Sequence, residues 1–309
     1  MKIYYELTSS IGDSAVALGS FDGLHIGHQK VISSAIAGKK QGLVPTVFTF
    51  AANPLTDLGG RAGGEIITQE QKISLLEDLG VEQLYIFKFA AVKDLSPEEF
   101  VDKILINVCH AKEVCCGFNF TFGCGGRANS QTLSRLCAER GMKAEISKAV
   151  LVDGEPVSST RIRGLISGGD VDEAAELLGR PYGYWSAVQH GRRLGRELGT
   201  PTLNQAIPED FVLPRFGVYA SKVYFEEKEY AGVTNVGVKP TVGSPCALAE
   251  TWMPDYHGPD IYGKIVRVDL IKFLRPERKF AGLDELKLEI IKNGEQAKEF
   301  FLKNKHGKK

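Results

Sequence analysis

His25 and His28 stand three positions apart, around Ile26 and Gly27, in the run Ala15-Val16-Ala17-Leu18-Gly19-Ser20-Phe21-Asp22-Gly23-Leu24-His25-Ile26-Gly27-His28. They are two of only six histidines in a chain of 309 residues. Imidazoles so placed can donate hydrogen bonds to phosphate oxygens, and a charge-assisted bond of that kind is worth roughly 1.5 to 3 kcal/mol. The surrounding elements suit that chemistry. Ala15 to Leu18 is an apolar run of strand length, and apolar residues at helical spacing follow from His28 to Ile36. Gly19, Gly23 and Gly27 punctuate the crossing between them. Open parallel sheets bind ligands at the carboxyl ends of their strands, and a helix start offers free N–H groups to an anion. A lone histidine is more often a satisfied structural residue, but the pairing in a glycine-rich turn at a strand exit favours the functional reading.

The rest of the chain must position this turn. Thr46 to Phe50, Gln83 to Phe87 and Glu113 to Gly117 read as strands, and Gln69 to Leu79 as a helix with Ile73, Leu76 and Leu79 on one face. Ser96-Pro97-Glu98-Glu99 is a capping box with proline at the first helical position, opening a helix expected to run towards His110. This alternation predicts an α/β first part, a mostly parallel Rossmann-like sheet covered by helices. After Arg180-Pro181-Tyr182-Gly183 the texture changes. Short strand-like runs at Gly217 to Phe225, Tyr230 to Val238 and Ile265 to Phe273, separated by Gly, Pro and Asp turns, predict an antiparallel barrel with a last helix from Leu283 through Ala297. The expected domains are therefore 1–182 and 183–309.

Composition excludes several classes. Thirty-eight Lys and Arg balance thirty-eight Asp and Glu, which argues against a broad nucleic-acid or membrane-surface field. There is no secretory leader pattern and no apolar stretch of membrane-spanning length, so the expected location is the cytoplasm. Six cysteines without CxxC pairs are read as buried free thiols rather than a disulfide framework or zinc site.

A second motif, Val157-Ser158-Ser159-Thr160-Arg161-Ile162-Arg163, places hydroxyls and guanidinium groups at a helix start. With His25-Ile26-Gly27-His28 it resembles the HxGH and ISSTxxR signatures of the nucleotidyltransferase superfamily, which moves a nucleoside monophosphate from a triphosphate onto an acceptor. Gly117-Phe118-Asn119-Phe120-Thr121-Phe122-Gly123 resembles the GxDFxFG strand-loop of its bacterial FAD synthetase branch, with Asn119 at the position often held by Asp. Phe50-Ala51-Ala52-Asn53-Pro54 departs from the branch, which reads close to FxPHP there. The resemblance implies nucleotide contacts at Gly19, Phe21, Gly27, Asn119, Ser159, Thr160 and Arg163, with His25 and His28 as catalytic donors.

The second part names the acceptor. His190-Gly191-Arg192-Arg193-Leu194-Gly195-Arg196-Glu197-Leu198-Gly199-Thr200-Pro201-Thr202-Leu203-Asn204 resembles the glycine-rich flap and PTxN motif of riboflavin kinases. Gly191 lets backbone approach phosphates and Arg196 neutralises their charge. The Thr202 hydroxyl and the Asn204 amide oxygen are hard donors suited to Mg2+. Gly232 to Thr241, Ala249-Glu250-Thr251-Trp252, Asp260-Ile261-Tyr262-Gly263 and Phe273-Leu274-Arg275-Pro276-Glu277 follow in the family's order. The resemblance implies Glu250 as the base for the ribityl hydroxyl and Arg275 beside the substrate.

The implied activity is twofold: ATP- and Mg2+-dependent phosphorylation of riboflavin to FMN, then adenylylation of FMN with ATP to give FAD and pyrophosphate. Its partners are small molecules, with no nucleic acid or membrane, and the chain is expected to be a monomer or weak homo-oligomer. The alternatives are a riboflavin kinase with weakened or lost adenylylation, a nucleotidyltransferase for another acceptor, and a non-catalytic flavin-binding regulatory protein. Gly258 to Lys264 fits GxxxxGK, but Ile265 replaces the Ser or Thr of a P-loop. That segment is expected to be a hairpin turn.

Overall fold

The computed structural model describes residues 1–51, 63–191, 195, 199–208, 210–239 and 246–306. These pack as two units, Met1–Ser159 and Thr160–Lys309. In the first unit the strands are β1 (Lys2–Tyr4), β2 (Ser14–Leu18), β3 (Val44–Phe50), β4 (Gln83–Phe87), β5 (Ala111–Gly117), β6 (Thr121–Phe122), β7 (Ala128–Asn129), β8 (Lys143–Ser147), β9 (Leu151–Val152) and β10 (Glu155–Pro156). Six of them form a parallel sheet in the order β1-β4-β3-β2-β5-β8, and the others make two small antiparallel pairs. β2 and β4 are buried at every residue, as expected of interior strands covered on both faces.

The helices of this unit are α1 (Ile26–Ala37), α2 (Gln69–Leu79), α3 (Pro97–Glu99) and α4 (Ser130–Glu139). α2 occupies the residues its periodicity predicts, closed by a Thr68–Gln71 capping box and by Gly80 in the left-handed region. The Ser96–Glu99 capping box also forms. The helix it opens loosens over Phe100–Ile106 into wider turns, with Asn107 N donating to Asp102 O and Cys109 N to Ile104 O. Val16, Phe48, Tyr85, Phe87, Phe100 and Leu133 share one apolar core. Cys109, Cys115, Cys116 and Cys137 are buried free thiols, whereas Cys124 is exposed, because it lies in the loop between β6 and β7.

The division falls within the first turn of α5 (Ser159–Gly168), and the second unit continues with α6 (Val171–Leu178), β11 (Tyr182–Gln189), β12 (Thr202–Ala206), β13 (Gly217–Phe225), β14 (Lys228–Lys239), β15 (Cys246–Trp252), β16 (Ile265–Arg275) and α7 (Leu283–His306). The six strands close an antiparallel barrel in the order β11-β12-β15-β14-β13-β16. The division by packing falls about twenty residues before the change of texture near 182, because α6 packs on β11 and β16. Gly258 to Lys264 makes a turn, with Gly263 at φ 75° and Lys264 N donating to Ile261 O, but it is not a hairpin. β15 and β16, which it joins, are not neighbours in the barrel.

Strand alternation gives the barrel two different faces. Inward, Ser221, Thr234 and Thr251 form a buried hydroxyl chain, with Oγ to Oγ1 at 2.8 Å and Oγ1 to Oγ1 at 2.9 Å. Outward, Val218, Ala220 and Val233 pack against Ala297 of α7. Gly294 of α7 is required there, since a Cβ on it would lie 2.6 Å from the Trp252 ring. Among the described residues no helix is long and apolar enough to cross a membrane.

Candidate active sites

In the first unit, β3 lies on one side of β2 and β5 on the other, so the exit of β2 faces a switch in strand order. The chain leaves that exit through a strained turn. Phe21 and Leu24 hold left-handed backbone at φ 49° and 43°, a conformation side-chain-bearing residues rarely adopt. His25 then caps α1: its Nδ1 accepts the backbone N–H of His28 at 3.2 Å. The two rings stack with centroids 3.5 Å apart and planes 17° from parallel. Gly27 is the residue that permits this, because a Cβ there would sit 3.1 Å from His25 Cε1.

The buried Phe21 ring meets His28 edge-on at 5.4 Å, so its side chain supports the histidine from below. It also lies against Gly19, where a Cβ would meet the ring at 3.0 Å. Burial, then His25, then Lys72 push the His28 pKa well below its ordinary value, leaving a neutral imidazole. Among the described residues its buried Nδ1 has no hydrogen-bond partner. The charge-assisted donor expected from the sequence is therefore not favoured at His28 at neutral pH. Ser159 Oγ donates to the Asp22 carbonyl at 2.9 Å, tying the start of α5 to the same turn. Asn119 is exposed, just beyond the end of β5.

The second site is built by register. On five successive strands Asn204 lies opposite Glu250, Glu250 opposite Asn235, Asn235 opposite Val218, and Val218 opposite Arg275. Two residues along, Thr202, Trp252 and Val233 form a second row. Residues in one row share a face, and both rows line a single cavity of about 310 Å3. Its far wall is apolar, made by Phe280 and by Leu286 and Ile290 of α7. Such a volume lies at the low end of ligand clefts, which span about 300 to 1,000 Å3.

Close backbone approach shapes the polar end of the cavity. A Cβ on Gly191 would collide with the Asn204 amide, and Gly195 O accepts the Thr200 N–H at 2.7 Å. Arg275 is fixed at the opposite end: its Nε donates to Asn293 Oδ1 at 3.1 Å and lies 3.2 Å from Glu289 Oε1, both on α7. Arg278 joins the same carboxylate at 2.9 Å. A carboxylate between two amides, with hydroxyls beside them and an apolar wall opposite, can orient a molecule that has both an apolar part and a hydroxylated part.

Comparison with known proteins agrees with both geometries. Residues 8–161 match the FAD synthetase family model and residues 178–301 the riboflavin kinase model. A bifunctional riboflavin kinase/FMN adenylyltransferase of Bacillus subtilis (strain 168) is 38% identical over 298 residues, covering 93% of this chain and 92% of the relative. The chain belongs to the bifunctional riboflavin kinase/FMN adenylyltransferase family. A namesake from Listeria monocytogenes is 35% identical, covering 94% of this chain and 93% of its own. The crystal structure of a protein described as a macrolide-efflux protein from Streptococcus pneumoniae superposes with a TM-score of 0.86 at 29% identity, over 96% of this chain and 98% of that one.

The FAD synthetase-like part brings His25, His28, Gly19, Phe21, Gly27 and Ser159 together at the exit of β2, while Thr160 and Arg163 follow on α5 in the second unit. The riboflavin kinase-like part brings Glu250, Thr202, Asn204 and Arg275 to one cavity, with Gly191 against Asn204. Arg196 and Ala52-Asn53-Pro54 lie outside the described residues. Sequence reading missed Asn235, Trp252 and Asn293 as cavity residues, and Lys72 and Asp22 beneath the histidines. Asn235 was findable, because it lies in a recognised segment. Trp252 and Asp22 likewise lie in quoted segments, whereas Asn293 and Lys72 had no local signal.

Proposed function

We propose that this chain makes FAD from riboflavin in two steps, with functional limits at 1–182 and 183–309. The second part transfers phosphate from ATP to the riboflavin 5′-hydroxyl, and the first joins the FMN formed to the AMP portion of a second ATP. The observation that carries the reading is the row Asn204, Glu250, Asn235 and Arg275 around one cavity. It supplies a base and hard oxygen donors beside an apolar wall on which an isoalloxazine can lie.

In the kinase step Glu250 accepts the hydroxyl proton while the γ-phosphoryl group moves to that oxygen. Thr202 and Asn204 fit Mg2+: they offer neutral oxygens two positions apart on β12 that face the cavity together. Such an ion neutralises charge on the ATP phosphates. Gly191 and Arg196 are assigned to the same phosphates, and Arg275 to substrate positioning.

In the adenylyl step an FMN phosphate oxygen attacks the α-phosphorus of ATP and pyrophosphate leaves, so no covalent side chain is needed. His25 accepts a backbone N–H at Nδ1, which puts its proton on Nε2. His28, its pKa lowered by burial, stacks on it as a second neutral imidazole, assigned the Nε2–H tautomer in this reading. The two stacked rings then offer parallel donors to the charge developing on the α-phosphate. Gly19, Gly27, Phe21 and Asn119 are assigned to nucleotide binding, with Ser159, Thr160 and Arg163 at the triphosphate. The balanced charge weighs against a broad nucleic-acid or membrane-surface field, and the chain is assigned to the cytoplasm as a monomer or weak homo-oligomer.

The test is a time course of the purified chain with riboflavin, excess ATP and Mg2+, with flavins separated by chromatography. FMN rising first and FAD following is the expected outcome. FMN accumulating without FAD would remove the adenylyl assignment.

A further inference from the structure

Lys72 has no role in the chemistry above, yet among the described residues it is a lysine only 4% exposed. It sits in the first turn of α2, and its Nζ donates to the carbonyls of Ser20, at 3.1 Å, and Phe50, at 3.4 Å. Ser20 lies just past the end of β2, and Phe50 ends β3, its parallel neighbour. One ammonium group therefore spans the exits of two adjacent strands. One exit leads into the histidine turn, the other to Ala51.

The turn needs such support. Phe21 and Leu24 hold left-handed backbone only while neighbours over-determine them. Asp22 supplies a second tie, its Oδ1 accepting the Ile66 N–H at 3.0 Å, and Thr49 Oγ1 donates to the same Ser20 carbonyl at 2.9 Å. A buried ammonium is costly, and neutral donors can satisfy carbonyls more cheaply. A charge retained beneath the turn is explained by what it does to that turn.

We propose that Lys72 is a positioning residue for adenylyl transfer, clamping the exits of β2 and β3 so that the two histidine donors stay aligned. It also acts on His28 through space. Burial first, then His25 on the same turn and Lys72 from α2, oppose a proton on His28, while burial lowers the Lys72 pKa and Asp22 and Glu65 partly offset that fall. The assignment rests on the histidines being the adenylyl donors.

The test uses the full chain with Lys72→Met and Lys72→Gln, supplied with FMN, ATP and Mg2+. Riboflavin kinase activity of the same samples reports intact folding of the second unit. Lys72→Met should lower the adenylylation kcat by about tenfold to a hundredfold, the range for sub-ångström to ångström misplacement, with the FMN KM and kinase rate little changed. The His28 ring signals in NMR should titrate at higher pH than in the unaltered chain. Lys72→Gln, an amide able to donate to the same carbonyls without charge, should recover part of kcat but not the titration. Unchanged adenylylation in Lys72→Met overturns the proposal. So does a loss in which His28 titrates as before and Lys72→Gln is no better than Lys72→Met, since that marks a purely structural lysine. If His28→Ala keeps its FMN-to-FAD rate, the histidine reading fails instead, whatever Lys72 does.

Discussion

A glutamate in a strand normally faces water; Glu250 does not, because β15 places it between Asn204 and Asn235 on the face that α7 covers. Its neighbours there are amides, which orient a carboxylate without neutralising it. Glu250→Gln keeps the shape and removes the base, so FMN formation from riboflavin should fall by about 10²- to 10⁴-fold while adenylylation of supplied FMN is unchanged. His28→Ala should do the reverse, lowering FMN-to-FAD conversion by about 10²- to 10³-fold, the loss expected for one transition-state donor. Parallel assays of both variants check the pair, and equal loss of both activities in either one would void the division of labour. The residues named in these predictions were legible in sequence because each belongs to a short contiguous motif. Lys72 and Asn293 were not: Lys72 reaches the histidine turn at Ser20 across 52 residues, and Asn293 meets Arg275 only because α7 folds back on β16.

At the scale of elements, the turn into α1 carries a cost that pH exposes. His28 is neutral in the folded chain with its pKa well below 6.5, whereas the unfolded chain protonates it near that value. Below about pH 6.5 the unfolded state therefore binds the extra proton, and stability falls as pH falls, by up to about 1.4 kcal/mol per pH unit for this one group. Urea midpoints of the first unit should drop between neutral and mildly acid pH, and less so in His28→Gln; identical slopes in the two would count against a buried neutral histidine. The elements themselves were largely legible. β13, α2 and the capping box at Ser96 follow from periodicity and local hydrogen-bonding chemistry. The wide turns at Phe100–Ile106 and the absence of a hairpin before β16 depend on packing and on barrel strand order, which no local pattern encodes.

At the scale of the whole molecule, the sequence marks where helices give way to barrel strands, but packing divides the chain earlier, at Ser159 and Thr160. α6 explains the difference: Asp172 pairs with Lys272 on β16, so this helix belongs by contact to the barrel although it follows the α/β part in sequence. Each unit has its own core, with the kinase-like cavity on barrel strands and α7 and the histidine turn between β2 and α1. Two separate sites can exchange FMN through solution. A mixture of the Glu250→Gln and His28→Ala chains should then convert riboflavin to FAD, because the second supplies FMN and the first consumes it. FAD should appear after a lag that shortens as the concentration of the Glu250→Gln chain is raised, and added FMN should abolish the lag. A mixture that accumulates FMN and makes no FAD, while Glu250→Gln alone still adenylylates added FMN at equal concentration, would show instead that FMN passes only within one chain.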